Sequence, residues 1–398
     1  MTELWAQAAL WLGLALVATL LSIWLRVATA LSEIVVGTVA QLAIGAVLGG
    51  ALLAGDASWI KFLSGAGAIL LTFLAGAELD PEVFKRQWKP TLAIGLAGFT
   101  APFALSTAAA HWLIGWNWPA SALSGVAMST TSVAVVYAVM LEFGLNTTDY
   151  GKGVLAACFV NDLATVIALG LLFSPFTWKT AVFVAGIAAA AFVLPRVVPP
   201  FFRRFGNRPS ELEAKLLMLC LFGLGALAGW AGSEAVLPAY LVGMVLAGTV
   251  GKDHALVRRL RTLTLGFLTP FYFIRAGSLV SLPALAAAPL GFVVLLVSKM
   301  VAKLAGVYPA TLYYRSPRRE GMYTTLLMST GLTFGTIAAL FGLTHHVIDQ
   351  GQYSAIVAAV IGSAVVPTLI ANAFFLPRHL LPAAVETTSA RTLQGESP

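Results

Sequence analysis

Apolar residues run through this chain in long blocks separated by short polar breaks. The blocks fall at roughly 5–25, 33–54, 59–79, 91–114, 119–141, 151–173, 179–200, 213–231, 234–250, 262–281, 285–312, 320–343 and 352–377. Most approach the roughly 20 helical residues needed to cross bilayer hydrocarbon. The pattern therefore predicts an all-α polytopic membrane protein with about 13 transmembrane helices over residues 1–381. The last stretch, 382–398, is polar and rich in Ser and Thr, and reads as a short disordered cytoplasmic tail with no room for a nucleotide-binding regulatory domain.

Two blocks are interrupted from within. Met128-Ser-Thr-Thr-Ser-Val-Ala134 and Ser329-Thr-Gly-Leu-Thr-Phe-Gly-Thr336 place hydroxyls and glycines near the middle of a span. Such runs predict unwound helix, with the hydroxyls satisfying freed backbone groups. Interrupted segments in corresponding positions of two halves point to a transporter site. The competing reading is that small residues merely let helices pack closely.

A third departure is Cys158-Phe-Val-Asn-Asp-Leu-Ala-Thr-Val-Ile-Ala-Leu-Gly170, apolar except for Asn161, Asp162 and Thr165. Asp162 lies near its span centre, where an ionised carboxylate costs at least ~2.5 kcal/mol unless paired or hydrated. Glu78, Glu142 and Glu234 all fall near span ends. Asp162 is thus the candidate site for H⁺ and a transported metal cation. Lys299 and Lys303 are four residues apart on one helix face, and a buried lysine needs a carboxylate partner or loses its proton. Pairing one of them with Asp162 is the economical assignment, Lys303 being favoured; the alternative is that both line a cytoplasmic cavity. Arg275, also within a span, reads as a structural group that bonds carbonyls of a broken helix or shields a carboxylate.

Composition narrows the class. The chain is 59% hydrophobic and 10% charged, with mean hydropathy +0.88, too few charges to cover a soluble protein. The net charge of +7 invites a nucleic-acid reading, but 18 of the 24 Lys and Arg sit in alternate loops, around residues 26, 85–89, 152, 203–215, 252–261, 315–319 and 378–391. That alternation is the positive-inside pattern; with an odd span count it predicts the N-terminus outside and the C-terminus in the cytoplasm. The N-terminus lacks the basic region of a cleavable signal. Cys158 and Cys220 both lie in apolar spans, and the five histidines show no ligand spacing, so neither a disulfide framework nor a structural metal or cofactor is expected.

Taken together these segments resemble the monovalent cation:proton antiporter superfamily, in particular its bacterial Kef-type, NapA-like branch. The resemblance rests on Phe159-Val-Asn-Asp-Leu163, on Gly232-Ser-Glu-Ala-Val-Leu-Pro-Ala-Tyr-Leu-Val-Gly-Met-Val-Leu-Ala-Gly248, on Phe271-Tyr-Phe-Ile-Arg-Ala-Gly277 and on Gly76-Ala-Glu-Leu-Asp80, in that family's order over about 10–375. It implies an inverted-repeat fold with two crossed discontinuous helices, a homodimer in a bacterial cytoplasmic membrane, and a core (about 91–173 and 285–377) that moves in an elevator-like way against a scaffold. It also implies alternating binding of H⁺ and Na⁺ or K⁺ at Asp162, with Asn161 preceding it, Thr130 and Thr131 in the unwound crossover, and Lys303 as the core lysine.

Three departures stand out. Asn161 occupies a position that is Asp in many electrogenic relatives, which points to one-for-one exchange unless an intramembrane lysine carries a second proton. Gly331-Leu-Thr333 replaces a frequent Arg-Gly-Glu, and Arg275 adds a positive charge. The expected activity is therefore exchange of a monovalent cation, Na⁺ favoured, for H⁺, with Ser132, Gly331, Thr333 and Arg275 as supporting residues. The alternatives are K⁺/H⁺ exchange and sodium-coupled uptake of an organic anion. An intramembrane protease would want a second acidic residue or a Ser/His pair, and a sensor a soluble output domain.

Overall fold

The computed structural model describes residues 2–25, 28–48, 53, 55–77, 86–173, 177–206, 208–233, 235–251 and 253–381. Expectations resting on Arg26, Glu78, Asp80, Lys85, Glu234, Lys252 and the tail 382–398 lie outside the described residues. In chain order the helices are α1 (Thr2–Leu25), α2 (Thr29–Leu48), α3 (Ser58–Ala77), α4 (Trp88–Ala109), α5 (Trp118–Ser129) and α6 (Val133–Glu142). Then come α7 (Asp149–Phe173), α8 (Trp178–Phe205), α9 (Leu212–Trp230), α10 (Val236–Leu246), α11 (His254–Leu263) and α12 (Thr269–Ser278). The set closes with α13 (Leu282–Ala287), α14 (Pro289–Tyr313), α15 (Arg318–Met328), α16 (Thr333–Thr344) and α17 (Gln350–Ile370).

Among the described residues, nine helical segments are long and apolar enough to cross a membrane, the broken pair Arg318–Thr344 counted as one. The other four predicted blocks correspond to the shorter apolar helices Thr29–Ala43 and Val236–Leu246, to the broken pair α5/α6, and to α12 with the π-turn Thr264–Leu268 before it. The helices of the α5/α6 pair hold 12 and 10 residues, each too short to cross alone.

The chain divides into two compact units. Unit 1 comprises Met1–Pro81, Val166–Ala288 and Thr336–Ser354. Its helices approach through glycine: a Cβ on Gly243 of α10 would strike the Phe73 carbonyl of α3, and one on Gly76 would strike Tyr240 O. Gly37 of α2 and Gly277 of α12 meet the Ile274 and Ile34 carbonyls in the same way. These are the small-residue contacts by which apolar helices gain dispersion energy without a hydrophobic drive. Trp11 stacks on Phe271 at 5.6 Å and donates from its indole to Leu53 O at 3.0 Å.

Unit 2 comprises Glu82–Thr165, Pro289–Gly335 and Ala355–Pro398. The broken pairs and their flanking helices repeat along the chain: helices starting at Trp88, Trp118, Val133 and Asp149 recur at Pro289, Arg318, Thr333 and Gln350, a shift of 200 or 201 residues each time. The two leading helices, α4 and α14, lie side by side, with Ser106 and Ser298 joined hydroxyl to hydroxyl at 3.0 Å.

Candidate functional site

The site begins with the way two helices stop. Asn117 caps α5, its side chain accepting from the Ala120 N–H at 2.9 Å, and Pro119 fits the first turn. After the 12 residues of the helix, Thr130 swings to extended backbone (ψ 151). The last-turn carbonyls would be orphaned in an apolar surrounding. Instead Ser129 Oγ donates to Val126 O at 2.7 Å and Thr130 Oγ1 to Ala127 O at 2.8 Å. The second break solves the same problem with the same residues: Ser329 Oγ donates to Thr325 O at 2.8 Å and Thr330 Oγ1 to Leu327 O at 2.7 Å. The hydroxyls seen in sequence are there to close half-helices.

The breaks are tied to each other. The Ser132 N–H donates to Thr330 O and Thr131 Oγ1 to Met328 O, both at 2.9 Å. Ser132 Oγ accepts from Val135 N at 3.3 Å and so caps α6. Residues 197 and 198 positions apart in sequence thus form one crossing.

Both lysines of α14 reach this crossing, and both are fully buried. Lys303 Nζ donates to Ser129 O at 2.9 Å, to Thr131 Oγ1 at 3.0 Å and to Asn161 Oδ1 at 3.1 Å. Lys299 Nζ donates to Thr130 O at 3.1 Å. Both lysine nitrogens thereby donate to carbonyls at the C-terminal end of α5, the negative pole of a helix. Lys303 meets the Asp162 site through Asn161 and the broken helix; among the described residues neither lysine nitrogen lies within 4.0 Å of the Asp162 carboxylate. Carbonyls exposed by the break compete for the ammoniums, and spacing on α14 alone gave no hint of them.

Asn161 links the two groups. Its Nδ2 donates to Ser129 O at 3.0 Å while its Oδ1 accepts from Lys303. The next residue, Asp162, is 1% exposed. Among the described residues its Oδ1 has no hydrogen-bond partner. A buried carboxylate oxygen left open beside a hydroxyl and a set of carbonyls is a donor set suited to a proton or a hard cation.

Gly331 makes the crossing possible. A Cβ there would stand 3.0 Å from Thr130 Oγ1 and 3.2 Å from Ser363 Oγ, and would collide with Lys299 Nζ. Gly98 of α4, which the sequence reading missed, does the same for Asn161: its Cβ would come 2.8 Å from Oδ1. Ser129 was also missed as a ligand of the lysine; its place in the hydroxyl run was the available signal. Thr165 Oγ1 is bonded back to Asn161 O at 3.0 Å. Thr333 opens α16, half-buried, and its side chain joins none of these bonds among the described residues.

Arg275 lies in unit 1. Its Nε donates to Gly55 O at 2.9 Å and its Nη2 stands 3.8 Å from Asp56 Oδ1, so it pins the turn between α2 and α3. The turn comes from 220 positions away, beyond what local pattern reveals. Glu33, 2% exposed on α2, is a further buried carboxylate. The sequence reading did not single it out; the apolar block there begins at residue 33, whereas the helix starts a turn earlier, at Thr29.

The fold and site define a polytopic membrane protein whose buried carboxylate lies by two crossed broken helices. The chain belongs to the family described as sodium/hydrogen exchanger, transmembrane, whose model matches residues 12–376. Among curated relatives, the chain is 29% identical to Cation/H(+) antiporter 17 of Arabidopsis thaliana over 79% of this chain and 41% of that protein. It is 26% identical to the glutathione-regulated potassium-efflux system protein KefC of Enterobacter sp. (strain 638), over 85% of this chain and 58% of that one. The chain thus spans about half the length of the curated relatives it matches. The solved sodium proton antiporter MjNhaP1 of Methanocaldococcus jannaschii shares the fold, with TM-score 0.70 at 13% identity over 95% of this chain and 98% of that one.

Proposed function

We propose that the chain is a secondary antiporter that exchanges a monovalent cation for H⁺ by alternating access, the two competing for Asp162. The observation that carries this reading is the open Oδ1 of a buried carboxylate at the crossing of two broken helices. Asp162 holds either a proton or a cation, helped by Thr131 and by the Ser129 and Thr130 carbonyls when Lys303 and Lys299 yield them. Only the neutralised site crosses cheaply, since a bare carboxylate in hydrocarbon costs at least ~2.5 kcal/mol. That difference couples the two fluxes.

Unit 2 is the transport core in this account, and Na⁺ the first cation. K⁺ is the second reading, supported by the curated relatives named as potassium-efflux proteins. A homodimer in a bacterial cytoplasmic membrane belongs to the same proposal, with the N-terminus outside and the C-terminus inside, an orientation that the alternating basic loops support. The test is dissipation of a pre-set ΔpH in protein-only liposomes on adding Na⁺, K⁺ or Li⁺. Collapse with one or more cations supports exchange and names the ion. Traces equal to empty liposomes for every cation would contradict it.

A further inference from the structure

A second site is assembled at the basic end of α14 and α15. Arg318 and Arg319 are the first two residues of α15, behind Pro317. They line an open cleft of about 280 Å³ with Tyr308, Met322, Phe374 and Phe375. One wall is therefore cationic and the other aromatic or thioether. Among the described residues Arg319 makes one long hydrogen bond, Nη2 to Phe374 O at 3.5 Å. Neither arginine has a carboxylate within 4.0 Å among the described residues; the neighbouring Glu320 is taken by His379 Nε2 at 2.9 Å. Among the described residues, two guanidiniums with five N–H donors each thus leave almost all their donors unused.

The apolar wall is open as well. Phe374 is 69% exposed, and outside the cleft lining Tyr313, at the end of α14, is 80% exposed. Aromatics at the ends of spanning helices sit at headgroup level, and this loop is one the charge bias assigns to the cytoplasmic side. Basic pockets between helices on that side suit anionic headgroups. The volume falls just below the roughly 300–1,000 Å³ of pockets that enclose whole small ligands. It suits a headgroup whose chains lie outside, along the helices.

We propose that this cleft binds the phosphate of an anionic phospholipid, held by Arg318 and Arg319, with the upper acyl region against Met322, Phe374 and Phe375. The bound headgroup would fix the start of α15, whose 11 residues lead over about 16 Å to the crossing at Thr330.

The test is a thermal-shift titration of the full purified chain in neutral detergent with short-chain phosphatidylglycerol, phosphatidylcholine or inorganic phosphate. Wild type is compared with Arg318→Gln/Arg319→Gln and with Arg203→Gln/Arg204→Gln, a basic pair in unit 1. Phosphatidylglycerol should stabilise the wild type and the unit 1 control alike. The cleft variant should bind it about tenfold more weakly or worse, since each basic group near an anionic surface is worth ~1 kcal/mol. An unchanged titration in the cleft variant would overturn the proposal. Equal stabilisation by phosphatidylcholine would do so too, and equal stabilisation by phosphate alone would replace the lipid with a soluble anion. If the cleft variant does not fold, lipid retention by wild type in native mass spectrometry decides: preference for phosphatidylglycerol over phosphatidylcholine supports the site, and equal retention rejects it.

Discussion

Lys303 reaches the neighbourhood of Asp162 through a neutral amide: its Nζ donates to Asn161 Oδ1 at 3.1 Å, and Asn161 Nδ2 donates onward to Ser129 O at 3.0 Å. The ammonium is thereby held at the broken helix while the carboxylate next door keeps an oxygen open. Removing the amide should leave Lys303 with two of its three acceptors, Ser129 O and Thr131 Oγ1. Asn161→Ala is expected to cost about 1–3 kcal/mol of stability and to abolish most exchange, read by thermal unfolding and by ΔpH dissipation. Near-normal exchange in a folded Asn161→Ala protein would show that the link is dispensable.

Asn161→Asp tests stoichiometry. A second carboxylate beside Asp162 would pair directly with Lys303 and add a titratable charge to the moving site. The variant should respond to an imposed membrane potential more strongly than wild type, measured as exchange rate at fixed ΔpH. Identical voltage responses would assign charge balance to other groups.

Gly331→Ala should be damaging because of one neighbour. The new methyl runs into Lys299 Nζ and Thr130 Oγ1, and overpacking of this kind costs typically ~1–3 kcal/mol. Lys299→Ala in the same chain frees the space, so the double variant should recover part of the stability lost by Gly331→Ala. Additive losses in the double-variant cycle would mean the two residues are not coupled.

The spans, the depth of Asp162 and the two breaks were legible in sequence, because each follows from polarity against an apolar background. The shared face of Lys299 and Lys303 was legible from their spacing. What those lysines touch was not: Ser129 and Thr130 become acceptors only after the helix unwinds, and nothing local to α14 announces it. Arg275 shows the same limit, since its partners Gly55 and Asp56 sit in a turn that hydropathy does not place. Gly98 was hidden for a different reason: a glycine in an apolar helix reads as packing until its neighbour is known to be Asn161.

Arg275→Gln is expected to act on the fold alone. Losing the bond to Gly55 O should lower the unfolding temperature, with ~1–3 kcal/mol at stake for the unsatisfied group. The cation concentration for half-maximal exchange should stay within about twofold, less than 0.5 kcal/mol. A tenfold change in that concentration would return Arg275 to the ion path.

Competition for one carboxylate is tested most directly by counting protons released when cation is added to purified protein in weakly buffered detergent. Wild type should release up to one H⁺ per cation bound, less as pH rises and the site is already deprotonated. Asp162→Asn, with unfolding behaviour like wild type, should neither bind the cation nor release a proton. Cation-linked proton release that survives in Asp162→Asn would contradict the account and place the exchange at another group.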